Sequence, residues 1–350
     1  MTAWATPAAV AAAVVANLRS SVSRYTRRLP TGYAILVKGV EQMRQSMTTF
    51  FHLDRGSPIL RIGLVAGYMA LLAGCSKLGV GDSPTTPTPL PTPGSTIVYS
   101  AIGASDANGV GSSALCVPFT DCPNGMGYVP VTVRQLRSRG YTVNHLNLGI
   151  ATFVIGRDFQ SLGQQYNHPV GGNFIEAEMP FVQTTATVVT IFAGINEVNT
   201  VTAALGGGAG GSDPNGYMDT QIRAFGTDYA TLLTGIKARV SAGTPRIVAL
   251  NVPNAAGLPY LTRVSAAQRQ AAQRIAVGMS RTVVNALTAQ NVVVVDLMCD
   301  ARSYLAANYS ADGLHPNDLG YAFIASEVVR AITSNYPAPQ SSCPAMTIVP

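Results

Sequence analysis

Between residues 96 and 333, short apolar runs alternate with longer stretches of helical period, and this alternation constrains the fold more than any other feature of the chain. Thr96 to Ile102 is strand-like. Tyr128 to Arg139 carries Val129, Val133 and Leu136 at helical spacing. Tyr141 to Leu148 is a second strand, and Thr187 to Ala193, built on Val188-Val189-Thr190-Ile191-Phe192, is a third. A long helix over Tyr217 to Ala242 leads to a strand at Arg246 to Val252. Another over Ala266 to Ala289 leads to Asn291 to Leu297, which holds four consecutive valines, and Asp318 to Thr333 closes the pattern as a helix. Strands that are apolar throughout are buried on both faces, which means a parallel sheet with helices on either side. The expected fold is α/β: a three-layer α/β/α, flavodoxin-like domain with a five-stranded parallel sheet. Such sheets place their sites beyond the carboxyl ends of the strands.

The first 75 residues do not share this pattern. Ile62 to Ala73 is a twelve-residue apolar run preceded by Arg55 and Arg61, and it ends in Leu72-Ala73-Gly74-Cys75. As a helix it would rise about 18 Å, short of a bilayer core of roughly 30 Å. A basic start, a short apolar core and a small-residue ending read as a secretory signal. The Leu-Ala-Gly-Cys ending resembles the bacterial lipobox, which implies lipidation of Cys75. Met43 or Met47 would each give such a leader an ordinary length, so the expected start of translation lies downstream of Met1. From Gly79 to Gly94 five prolines interleave with Thr and Ser, an extended tether that would hold a domain off a membrane. The expected organisation is a leader over 1–75, a Pro/Thr-rich linker over 76–95 and one folded domain over 96–350. That domain is long enough to bury a single stable core.

The net charge of +6 argues for no nucleic-acid partner, because residues 1–75 supply all of it. They hold eight Lys/Arg against two Asp/Glu, while the remainder holds 15 of each. Beyond Cys75 four cysteines remain: Cys116, Cys122, Cys299 and Cys343. An even number in an exported chain suggests two disulfides. Of three possible pairings, Cys116–Cys122 with Cys299–Cys343 is the expected one, the second tying the tail to the last strand. No Cys-x-x-Cys spacing favours a zinc site instead.

Three polar clusters sit at strand ends or just ahead of the last helix. Gly103-Ala104-Ser105 follows the first strand and Gly194-Ile195-Asn196-Glu197 follows the third. Asp312-Gly313-Leu314-His315-Pro316-Asn317 precedes the final helix. A serine, an amide and an Asp-x-x-His pair are the parts of a hydrolytic site: the serine attacks, the histidine takes its proton and the aspartate holds the imidazole. Of the other histidines after Cys75, His145 lies inside the second strand as a core residue. His168 lies in a Tyr166-Asn167-His168-Pro169 loop. Asp318 is expected to cap the last helix. Gly206 to Gly211 reads as a structureless loop or a flap over the site.

These clusters, with Asn147-Leu148-Gly149 after the second strand, resemble in order the four blocks of the SGNH (GDSL-type) hydrolase family, over roughly Ile97 to Tyr336. Ala104 stands where the family usually has Asp, and Glu197 where Asp usually follows the Asn. The resemblance implies Ser105 as nucleophile, His315 as base and Asp312 as its partner. It implies an oxyanion hole from the N–H groups of Ser105 and Gly149 and the side-chain amide of Asn196. Asp106 and Glu197 are expected to be structural hydrogen-bond partners.

The expected activity is hydrolysis of carboxylic esters through an acyl-serine, with no metal or organic cofactor, by an exported protein anchored to a membrane at Cys75. The substrate is an acyl ester or an acetylated sugar, and Thr152-Phe153-Val154-Ile155 is expected to form an apolar acyl wall. The alternatives are a carbohydrate O-acetylesterase on the same fold and a non-catalytic surface lipoprotein.

Overall fold

The computed structural model describes residues 89–346 and 348–349. The signal-like run, Cys75 and the tether up to residue 88 lie outside the described residues.

Five strands form one parallel sheet: β1 (Thr96–Ile102), β2 (Thr142–Asn147), β3 (Val188–Phe192), β4 (Arg246–Leu250) and β5 (Val293–Val295). Their order is β2-β1-β3-β4-β5. Every residue of β3 and β4 is buried, as expected for central strands covered on both faces. Arg246 opens β4 inside this core and donates from Nε to Ala331 O at 2.8 Å and from Nη2 to Ser334 O at 3.1 Å, so its charge meets a helix carboxyl end. The chain leaves β1 in one direction across the sheet and β3 in the other. The crevice between these strands is therefore the topological switch point, where sheets of this order hold their ligands.

The helices are α1 (Ser105–Asn108), α2 (Tyr128–Ser138), α3 (Arg157–Gln165), α4 (Phe174–Ala177) and α5 (Ile195–Gly206). They continue with α6 (Pro214–Arg239), α7 (Ala266–Gly278) and α8 (Asp318–Thr333). β1 and α8 have the bounds read from the sequence. The helix expected over 266–289 is α-helical only to Gly278, then passes through a π-helical turn (Met279–Val284) and a 3-10 turn (Asn285–Gln290). The wider turn places Ser280 against the end of β4, where its hydroxyl donates to Val252 O at 2.8 Å and accepts from Val252 N at 3.2 Å. α3 and α5 were not visible as periodic segments. Asn173, Asp213, Ser265 and Asn317 each cap a helix with a side-chain oxygen.

Two local expectations are corrected. Asn317, not Asp318, caps α8, its Oδ1 accepting from Leu319 N and Gly320 N. Asp318 instead holds Ser113 through its N–H at 2.8 Å and its Oγ at 2.6 Å. The Gly206–Gly211 stretch is neither structureless nor a flap. Gly206 ends α5, and successive turns bonded from Gly207, Gly208, Ala209 and Gly211 lead into Asp213. The cysteines pair as expected, Cys116 with Cys122 at a Cα separation of 5.5 Å and Cys299 with Cys343 at 4.5 Å.

Candidate active site

Ser105 begins α1 directly beyond β1 and is 5 % exposed. Its position as the first helical residue points its N–H away from the helix ladder, as for any helix start. His315 and Asp312 come from the turn before α8. An antiparallel bridge between Tyr309 and Pro316 pins the ends of this turn, and Ser310 N donates to His315 O at 2.8 Å. Asp312 Oδ1 accepts from Ser310 Oγ, Leu314 N and His315 N at 2.8–2.9 Å, which orients the carboxylate before it reaches the ring. Asp312 Oδ2 lies 2.6 Å from His315 Nδ1, and His315 Nε2 lies 2.9 Å from Ser105 Oγ. With the ring proton on Nδ1 facing the carboxylate, Nε2 is an acceptor for the Ser105 hydroxyl.

Electrostatics favour this arrangement. Burial opposes a charged His315, but its hydrogen bond to Asp312 and the charges of Asp106 and Asp312 outweigh it, so its pKa is raised above 6.5. Burial would raise Asp312, yet its bonds to His315 and Leu314 and the nearby imidazole hold it well below the usual carboxylate range. Asp106 is buried beside the nucleophile, and desolvation raises its pKa against the pull of His315.

Gly194, two residues beyond β3, has φ +130°, and a Cβ there would lie 2.9 Å from Val252 Cγ1, so glycine is required on both counts. The turn starts α5 and brings Asn196 to the crevice, where its Nδ2 donates to Phe153 O at 2.8 Å, one of the two protons of that amide. Glu197 braces the turn, accepting from Gly194 N at 2.8 Å and from Ile155 N. Burial raises its pKa to about 7 despite these donors. Gly149 lies behind the nucleophile helix: a Cβ would meet Ala107 Cβ at 2.4 Å. Its N–H is 3.2 Å from Asn147 Oδ1, and its carbonyl accepts from Asn108 Nδ2 at 2.7 Å.

Ser105, Asn196 and His315 line one small cleft of about 40 Å³, open to solvent. Phe192, Ile195, Val252, Leu258, Leu297 and Leu314 make most of its wall apolar. The segment expected to supply that wall does not reach it. Phe153, Val154 and Ile155 are 4 %, 0 % and 0 % exposed within the core, where Val154 pairs with Asn173. None of the glycines from 206 to 211 lines the cleft; Gly207 packs on Tyr166. His145 sits on the outer strand β2, largely buried, 3.6 Å from Asp121 Oδ1, and His168 is likewise outside the cleft.

At the switch point of this parallel sheet a serine, a histidine and an aspartate are joined in one hydrogen-bonded chain. The sequence matches the GDSL-like Lipase/Acylhydrolase family over residues 101–323; the chain belongs to that family and is a carboxylic ester hydrolase. No curated protein matches it. Similar solved structures include the lipase Lip_vut3 from a goat rumen metagenome, at 16% identity over 68% of this chain and 99% of that one, with a TM-score of 0.46. A variant of Axe2, an acetyl xylan esterase from Geobacillus stearothermophilus, is 16% identical over 70% of this chain and 99% of that one, TM-score 0.45. An extracellular lipase from Streptomyces rimosus is 16% identical over 68% of this chain and 100% of that one, TM-score 0.44.

Proposed function

We propose that this chain hydrolyses carboxylic esters of acyl chains through an acyl-serine on Ser105, with His315 as general base and Asp312 as its partner. The observation that carries the reading is the continuous chain from Asp312 Oδ2 through His315 to Ser105 Oγ, at 2.6 and 2.9 Å. Ser105 Oγ attacks the ester carbonyl as His315 Nε2 takes its proton. The C–O bond to the alcohol breaks, and His315 returns the proton to the departing oxygen. Water then attacks the acyl-serine, again losing its proton to His315, and the acid leaves. The N–H of Ser105 and the free proton of the Asn196 amide are the donors assigned to the developing oxyanion, while the Gly149 N–H is held by Asn147 Oδ1 at 3.2 Å.

The apolar wall of Phe192, Ile195, Val252, Leu258 and Leu297 supports an acyl chain as the group held during the reaction. The leader and Cys75 support an exported protein anchored to a membrane by lipid, with the tether as spacer. Hydrolysis of p-nitrophenyl esters from acetate to palmitate by the full chain and by Ser105→Ala tests the activity. Turnover is expected to fall by about 10⁴–10⁶-fold in the variant. Turnover at the parent rate in Ser105→Ala would sink the reading, and labelling of Cys75 with a fatty-acid analogue during expression would test the anchor.

A further inference from the structure

Ala104, between Gly103 and the nucleophile, has no polar side chain with which to brace its loop. The brace comes from Glu178, a residue at the end of α4 that is wholly buried. Its Oε2 accepts from Gly103 N at 3.0 Å and its Oε1 from Ile150 N at 3.2 Å. Ile150 N also lies 3.2 Å from Gly103 O, so carboxylate and backbone close a ring between the two loops. One of these loops carries Ser105, two residues beyond Gly103; the other carries Gly149, next to Ile150.

We infer that Glu178 is a positioning residue of this hydrolase, one carboxylate setting the nucleophile loop and the Gly149 loop at a fixed distance so that Ser105 stays in line with His315 and Asn196 in the cleft. The inference rests on the serine reading of the site. Only an ionised carboxylate offers an acceptor on both oxygens with no donor of its own. A glutamine of the same shape would turn an NH₂ against one of the two N–H groups and push the loops apart. The carboxylate is also costly to keep. Among the described residues no cation pairs with it, and burial pushes its pKa well above the usual carboxylate range. What the two acceptor oxygens provide is the spacing between two backbone donors, and a misplacement of about 1 Å at such a site costs on the order of 100-fold in rate.

The test is steady-state hydrolysis of p-nitrophenyl butyrate by the full chain, Glu178→Gln and Ser105→Ala, with thermal melts of each. For Glu178→Gln we expect kcat to fall about 100-fold, KM to stay within about threefold and the melting temperature to fall by about 2–6 °C, the cost of one unsatisfied buried N–H. Parent-like kcat in Glu178→Gln, in an enzyme that Ser105→Ala silences, overturns this inference alone. Activity that survives Ser105→Ala overturns the reading of the site instead. Where Glu178→Gln does not fold, Glu178→Asp decides. It keeps the charge but is one methylene short of reaching both N–H groups, and is expected to lose about 10-fold in kcat at a temperature where it is folded. A kcat equal to the parent's in that variant overturns the proposal.

Discussion

The two sides of the cleft are built in opposite ways. The nucleophile side is buried and held from a distance: Glu178 joins the loops around Ser105 and Gly149, and Asn108 and Asn147 stitch α1 to the second loop. The base side is a surface turn held by its own residues. Asp312 has 48 % of its side chain exposed, yet Ser310, Leu314 and His315, all within three residues, supply its donors. An oxyanion hole needs donors from separate strands to converge, which only a packed core can arrange. An Asp-x-x-His pair needs one imidazole oriented, which a short turn can do alone.

The sharpest way to break this contrast is Asp312→Asn. If the base turn is self-contained, kcat falls by about 10³–10⁴-fold while the melting temperature stays near the parent's, because the lost group is half in water. A large loss of stability would show that the turn depends on the core after all. The next largest effect concerns the tail. Cys299–Cys343 closes a separation of 44 residues, worth about 4 kcal/mol to the folded state by chain entropy. Denaturant unfolding of the Cys299→Ser, Cys343→Ser protein should show that loss with kcat unchanged, since neither cysteine lines the cleft.

Asn196→Ala is expected to lower kcat by about 10²–10³-fold with KM little changed, as for loss of one oxyanion donor. A rise in KM alone would move Asn196 from the transition state to substrate binding. The smallest effect is in the pH profile. His315 must be neutral to accept the Ser105 proton, and its pKa is raised above 6.5, so kcat/KM falls as pH drops through a midpoint above 6.5. Asp106→Asn removes one of the charges that raise it, and the midpoint moves down. An unmoved midpoint would assign the whole shift to Asp312 on the exposed side.

Much of this was legible because it is local. The unbroken apolar runs at Thr96–Ile102 and Val188–Phe192 specify doubly covered strands whatever surrounds them. Asp312 and His315 are three apart in one turn, and Ser105 directly follows a strand, so their spacing is visible in the chain. The helix α5 was hidden because its sequence is rich in Val, Thr and Asn, weak helix formers that packing against the sheet overrides. The cap of α8 was misassigned by one residue because Asn317 and Asp318 are both good caps, and the contact of Asp318 with Ser113 lies far off in sequence.

By itself, the sequence determined the layers of the fold, because periodicity is a property of the chain alone; the family resemblance pointed to which serine, histidine and aspartate could meet, and three cysteine pairings stayed possible. The tertiary structure decided what surrounds them. Glu178 lies 75 residues from Gly103, and the cleft wall comes from the ends of three strands rather than from the loop after Gly149. Burial and convergence of distant backbone groups exist only once the sheet has brought separate strand ends to one edge.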